Sequence, residues 1–433
     1  MRVLRTLLVA LALFSGVTGV AFSQFRFPMP EFESGYQHPQ MHLPLPKAGA
    51  DLIDMAVLFC VLSLSAFVVL KHRSRRTIFM LAVFSALYFG FWRKGCVCSV
   101  GSVQNVVEAV INGAEAVPVV VLVFFVLPLL FALFFGRVFC ASVCPLGALQ
   151  EIVAIRPIQL SRPVEAVLSL VPYAYLGLTV LSVATGAGFL ICRYDPFVGF
   201  FRLGASFSMF LVGGIFLVAG VFIGRPYCRF LCPYGVLLSW MSRFSKWHVT
   251  IAPAQCVQCR LCEDSCPYGA INTPTPEDRP ITRREGAKRI GFLLLITPLI
   301  TALGAWTGSA SHEVLARVHP TVQLAGRIAA EERGIYSDMT VASEAFRSGD
   351  KTIPELYQEA RTAVEGFRHP SAWFGAFLGI VIAGKLIALT AVRGRTDYEA
   401  DRGACVSCGR CFVYCPVEEE NGVKGEQEKA VRE

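Results

Sequence analysis

Two Cys-x2-Cys-x2-Cys-x3-Cys-Pro runs constrain this chain more than anything else in it. One is Cys256, Cys259, Cys262, Cys266 and Pro267; the other is Cys405, Cys408, Cys411, Cys415 and Pro416. Four thiols at this spacing suit a cubane [4Fe–4S] cluster. Zinc more often pairs two short Cys-x2–4-Cys knuckles at a distance, so the spacing favours two [4Fe–4S] clusters.

The setting of these runs is apolar. Hydrophobic residues make up 54% of the 433-residue chain and charged residues 17%, against about 25% charged in soluble proteins. Together with the long apolar runs, this predicts a multi-pass membrane protein. The net charge of +8 comes from Lys and Arg scattered over loops, so no nucleic-acid partner is expected. Most of the 16 cysteines sit at cofactor rather than disulfide spacings, and thiolate ligands need a reducing compartment.

Residues 1–23 read as a signal peptide, with basic Arg2 and Arg5, an apolar stretch, and small residues before a cut after Ser23. The alternative is an uncleaved first helix. Residues 24–50 form a Pro-rich periplasmic lead-in. Seven spans follow, at about 51–70, 77–93, 117–137, 165–185, 207–224, 288–307 and 371–392. The basic cluster KHRSRR at 71–76 and the Arg/Lys-rich region 225–289 fall on one side, which the positive-inside rule makes cytoplasmic. Trp92, Trp306 and Trp373 fall at outer helix ends, where an aromatic belt belongs. Lys385, near the inner end of the last span, is expected to snorkel.

The predicted fold is therefore membrane all-α, with about seven transmembrane helices. Residues 51–246 form the main membrane region, 247–287 and 393–420 two ferredoxin halves on the cytoplasmic side, and 421–433 a polar tail. A transmembrane hairpin, 288–392, separates the halves and carries an outer loop at 308–370. That loop reads as two or three amphipathic helices. In two-cluster ferredoxins the fourth Cys of each run ligates the other cluster; a fourth Cys that stays with its own run is the alternative. On the crossed pattern Cys256, Cys259, Cys262 and Cys415 hold cluster 1, and Cys405, Cys408, Cys411 and Cys266 hold cluster 2. Together the halves make a small α+β dicluster module, split by the hairpin.

The membrane region repeats itself. FFGRVFCASVCPLGAL at 134–149 and FIGRPYCRFLCPYGVL at 222–237 share the frame F-x-G-R-x-x-C-x3-C-P-x-G-x-L, which implies a duplicated helix pair. Cys140, Cys144, Cys228 and Cys232 could close a four-thiolate pocket across a pseudo-twofold axis, with Arg137, Arg225 and Arg229 favouring thiolate. They would hold a further iron–sulfur site or relay; a docking surface or free helix-end thiols are the alternatives. On the outer side lie Cys96, Cys98 and Cys192. A hydrocarbon core of about 30 Å is too thick for one electron hop, so these three are candidates for an outer relay, or for a disulfide between Cys192 and one of the pair. Cys60, in mid-span, reads as a buried apolar residue. The histidines do not pair across helices as a haem pocket requires, and no catalytic motif is present.

These motifs resemble the membrane-bound 4Fe–4S polyferredoxins of the NosR/NapH type, which combine two Cys-x3-Cys-Pro loops with two ferredoxin runs. The resemblance covers about 51–416. It implies an inner-membrane electron-transfer subunit rather than a stand-alone enzyme, with its N-terminus periplasmic and its C-terminus cytoplasmic. The implied partners are membrane lipid, a cytoplasmic donor or quinol, and a periplasmic redox protein or flavoprotein. A redox sensor and a maturation factor for a periplasmic metalloenzyme are the rival functions. NosR-like proteins also carry a periplasmic flavin domain with an S-G-A-T-like attachment motif. The short lead-in lacks that motif, so covalent FMN is not expected.

Overall fold

A computed structural model describes residues 48–95, 98–112, 117–155, 158, 160–202, 204, 206–251, 256–275, 283–336, 338–390 and 395–416. The signal peptide, nearly all of the lead-in, Cys96 and the polar tail lie outside the described residues.

The described chain is almost wholly helical. Helix α1 (Ala48–Phe67) runs on through a π turn, Val68–His72. Helix α2 (Arg75–Ser85) is capped by Ser74, whose hydroxyl accepts from the Thr77 N–H, and also ends in a π turn, Ala86–Trp92. Then come α3 (Ser99–Asn112), α4 (Val119–Phe135), α5 (Val138–Ser142), α6 (Pro145–Val153), α7 (Arg162–Leu168) and α8 (Val171–Ala184). The short α9 (Leu190–Tyr194) and α10 (Pro196–Arg202) lead to α11 (Phe207–Phe222), α12 (Pro226–Phe230) and α13 (Pro233–Ser242). Both α6 and α13 start on a proline at the first helical position, where the missing N–H costs nothing.

Among the described residues, four segments are long and apolar enough to cross a membrane: Gly49–His72, Pro163–Ala184, Gly286–Ala310 and Ile353–Thr390. The stretches expected at 117–137 and 207–224 are shorter apolar helices, Val119–Phe135 and Phe207–Phe222.

The outer segment 94–116, expected as a loop, contains α3. Its Val100, Ser102, Val103 and Gln104 are buried, and it packs on α4, α8 and α13. Small and polar residues made SVGSVQ look like loop, yet they are what lets this helix sit inside the bundle. Cys60 is exposed rather than buried, because its face of α1 points out of the bundle. Lys385 does not snorkel freely: its Nζ donates to Ser169 Oγ, at the end of α7, at 3.0 Å and lies over the ring of Tyr173 in α8.

The first ferredoxin half contributes α14 (Leu261–Ser265) and β1 (Ile271–Asn272), ahead of the hairpin of α15 (Arg283–Ala310) and α20 (Arg368–Thr390). Gly304 and Gly308 of α15 face Ser371, Gly375 and Gly379 of α20 so closely that a Cβ on the central glycines would collide with the opposite backbone. Small residues four apart are the usual means of such an approach in lipid. The outward side of α15 exposes Leu295, Leu299 and Trp306. Trp92 and Trp373 are likewise exposed.

The outer loop holds four helices among the described residues, α16 (His312–Ala316), α17 (Pro320–Glu332), α18 (Val341–Arg347) and α19 (Ile353–Gly366), rather than two or three. Ala325, Ile328, Leu356 and Ala360 give it a core of its own. Capping boxes at Thr340 and Thr352 start α18 and α19.

The second ferredoxin half returns as β2 (Glu399–Ala400) and α21 (Arg410–Tyr414). Strand β2 pairs antiparallel with β1, Ile271 opposite Ala400 and Asn272 opposite Glu399, and α21 packs on α14. Segments separated by the whole hairpin thus form one small module.

Candidate functional site: grouped cysteines and a buried carboxylate

The two ferredoxin runs fold alike. Gln258 and Arg260 in one, Ser407 and Gly409 in the other, occupy matching positions and all have left-handed φ, between 51° and 72°. This lets each chain curl round its thiols; only Gly409 adopts it without a Cβ penalty.

The structure places the ferredoxin cysteines in two neighbouring groups. Cys256, Cys259, Cys262 and Cys415 line one cavity with Tyr398 and Pro416. Cys266 sits with Cys405, Cys408 and Cys411. Burial pushes the Cys405 thiol up to about 12; Cys408 and Cys266 push the same way, and the Ser407 backbone N–H opposes them. Such thiols are poor anions by themselves and need a metal's charge to ionise. Among the described residues, no group of three or more His, Cys, Asp or Glu is placed to hold a single metal ion.

The repeated loops make a third set. Cys140, Cys144 and Cys232 are buried and Cys228 half-buried, with Cys144 and Cys232 each within electrostatic reach of the other loop's thiols. Gln150 Nε2 donates to Cys228 Sγ at 3.2 Å, and the Arg137 guanidinium lies 3.7 Å from Cys140 Sγ. A cavity of about 250 Å³ opens beside Cys140, Cys228 and Cys232, and Arg137, Arg225 and Arg229 reach it. Arg229 turns away from the thiols, however. It pairs with Glu165 and donates to the Pro267 and Tyr268 carbonyls at 3.2 and 2.8 Å, so it docks the first ferredoxin half.

The outer cysteines come together across Gly101. A Cβ there would lie 3.4 Å from Cys192 Sγ and 4.0 Å from Cys98 Cβ; both thiols are free. They share a cavity with Asp195 and Arg202. Gln104 Oε1 accepts from the Ile191 and Cys192 N–H groups at 2.8 and 3.3 Å. Buried Asp195 accepts a 2.7 Å hydrogen bond from the hydroxyl of buried Tyr227, the residue before Cys228. One hydrogen bond therefore joins the cavity of Cys98 and Cys192 to the repeated loops.

Sequence reasoning missed the centre of this arrangement, Glu151. Its carboxylate is 5% exposed. Arg225 Nε donates to it at 3.0 Å, Arg75 at 2.9 Å, Arg410 at 2.8 Å and the Tyr268 hydroxyl at 3.1 Å. Burial would raise this carboxyl, but Arg225, Arg410 and Arg75 together hold it well below the carboxylate range. The one available signal was a lone acid in the apolar stretch PLGALQEIVAI.

The 4Fe–4S binding domain family matches this chain twice through the repeated loops, at 117–163 and 205–251; a second 4Fe–4S binding domain family matches 248–271. The chain is thus a helical iron–sulfur protein, and the likeness to NosR/NapH-type membrane polyferredoxins drawn from its cysteines stands. The putative electron transport protein YccM of Escherichia coli is 36% identical over 53 residues, 12% of this chain and 15% of that one. Protein NirI of Paracoccus denitrificans is 42% identical over 57 residues, 13% and 8% of the two chains. An uncharacterised Methanocaldococcus jannaschii protein, MJ0749, is 43% identical over 58 residues, 13% and 24%. The matched segments span at most 24% of these relatives' lengths. No solved structure matches the chain.

Proposed function

We propose that this protein carries electrons across the bacterial inner membrane, between a cytoplasmic or quinol-side donor and a periplasmic redox protein or flavoprotein. Seven spans, the last two forming the hairpin, put both ferredoxin halves on the cytoplasmic side and the outer helical loop on the other. Two [4Fe–4S] clusters occupy the crossed sets, Cys256, Cys259, Cys262 with Cys415, and Cys405, Cys408, Cys411 with Cys266. Cys140, Cys144, Cys228 and Cys232 hold a further iron–sulfur site, contributed by two copies of a duplicated helix pair. Bound clusters supply one-electron chemistry; the chain supplies ligands, charge and exclusion of water.

The observation that carries this reading is that one buried network, centred on Glu151, ties the repeated loops to Tyr268, close to Cys266, and to Arg410, between Cys408 and Cys411. Arg137 and Arg225 offset the negative charge of thiolate ligands. Burial of Cys140, Cys144 and Cys232 limits their exposure to water. The hydrogen bond from Tyr227 to Asp195 and the packing of α3 on α13 reduce the gap to Cys98 and Cys192, so no single hop has to cross the whole hydrocarbon core.

The test is reconstitution. Vesicles with a reduced low-potential donor inside and an oxidised acceptor outside should show electron flow that disappears in a Cys140→Ala, Cys228→Ala double variant. Iron-replete wild-type protein that moves no electrons would refute a relay and leave a sensor; a requirement for loading a partner's metal but not for its turnover would indicate a maturation factor.

A further inference from the structure

The Glu151 network reaches further than a structural tie. Its members come from five places: Arg75 from α2, Glu151 from α6, Arg225 from the second loop, Tyr268 from the first ferredoxin half and Arg410 from the second. Arg225 also donates to the carbonyls of Cys140 and Ala141. Arg75 donates to the Cys408 carbonyl at 3.3 Å, and Arg410 lies between Cys408 and Cys411 in the chain. One carboxylate against three guanidiniums leaves an excess of two positive charges. Arg225 and Arg410 are 1% and 13% exposed, so water screens them little. Buried charge persists only when it is balanced. The thiol sets on either side are where the balancing negative charge would arise.

We infer that Glu151 is a positioning residue for electron transfer: it holds Arg225 and Arg410 between the loop thiols and the set of Cys266, Cys405, Cys408 and Cys411, and its charge sets how readily that second site accepts an electron. The inference rests on the proposed cluster sites. A reduced cluster carries one more negative charge than an oxidised one. Removing the Glu151 charge uncovers positive charge beside the site and favours reduction; removing an arginine does the reverse. A residue that served only to hold the fold together would show no such opposition of sign.

The experiment is an EPR-monitored redox titration of anaerobically purified full-length protein in detergent, wild type against Glu151→Gln, Glu151→Asp and Arg410→Gln. In Glu151→Gln the reduced-to-oxidised ratio of the second site at a fixed potential should rise about tenfold, a positive shift of ~59 mV for one electron. Arg410→Gln should lower it, and Glu151→Asp should stay near wild type. As a readout free of metal, hydrogen exchange over 405–414 in iron-free protein should quicken about tenfold in Glu151→Gln, because Arg410 loses its anchor. Iron-replete variants with unshifted potentials, or shifts of the same sign in Glu151→Gln and Arg410→Gln, would overturn this inference alone. Iron-free wild type would remove the cluster sites and the inference together. If Glu151→Gln does not assemble, Arg410→Gln alone decides: that variant leaves the carboxylate paired with Arg75 and Arg225, and an unchanged or raised potential refutes the inference.

Discussion

The two Cys-x3-Cys-Pro loops share one frame and carry different polar loads. In each, the arginine that opens the motif crosses to the other copy: Arg225 lies against Gly147, and Arg137 against Gly235. Each glycine packs on the first cysteine of its own loop, Cys140 or Cys228, and only glycine leaves room for the crossing guanidinium. Five and six positions past the motif proline, Pro145 or Pro233, the copies differ. The first has Gln150 and Glu151; the second has Leu238 and Ser239. Gln150 serves both a thiol and the Tyr227 N–H, whereas Leu238 is simply buried. Glu151 gathers three arginines, whereas Ser239 donates one 2.9 Å hydrogen bond to the Gly403 carbonyl. The common residues build the thiol pocket; the differing ones decide how the ferredoxin module seats upon it.

This asymmetry can be broken from either side. Arg225→Ala should do the most harm, leaving Glu151 short of its most buried partner and two loop carbonyls unpaired. Losing one side of a buried ion pair costs about 3–5 kcal/mol, to be read as lost thermal stability in detergent. Arg137→Ala should cost less, about 1–3 kcal/mol, since Arg137 donates to the Gly403 carbonyl and has no carboxylate partner among the described residues. Equal losses would mean that Glu151 is energetically idle.

Gly147→Ala and Gly235→Ala sharpen the same contrast. The new methyl would meet the Cys140 carbonyl at 3.0 Å and the Arg225 guanidinium at 3.2 Å in the first case, against 3.3 and 3.4 Å in the second. Overpacking typically costs about 1–3 kcal/mol, so Gly147→Ala should lie at the upper end and Gly235→Ala below it, measured as denaturation midpoints. Smallest of all, Ser239→Ala should cost about 1 kcal/mol, the net worth of one hydrogen bond. It should leave the iron content unchanged by colorimetric assay.

What the sequence made legible follows the same division. The cysteine runs and the repeated loops are local patterns, and spacing alone exposes them. Crossed ligation is an expectation that the run itself carries. The helix at Ser99–Asn112 was not legible, because its short polar-flecked stretch lacks the long apolar run that marks a span. Glu151 was hidden for a different reason. Its meaning depends on Arg75, Arg225, Tyr268 and Arg410, which come together only when the hairpin folds back and β1 meets β2. Asp195 was hidden likewise, since its partner Tyr227 lies beyond a whole helix.

The claim on which the account turns is that each ferredoxin run lends its last cysteine to the other. EPR of anaerobically purified Cys415→Ala, set beside Cys256→Ala and Cys405→Ala, tests it directly. The account predicts that Cys415→Ala removes the species lost in Cys256→Ala and spares the one lost in Cys405→Ala. If Cys415→Ala instead removes the Cys405 species and leaves the Cys256 species intact, each run closes on itself and the crossed module is wrong.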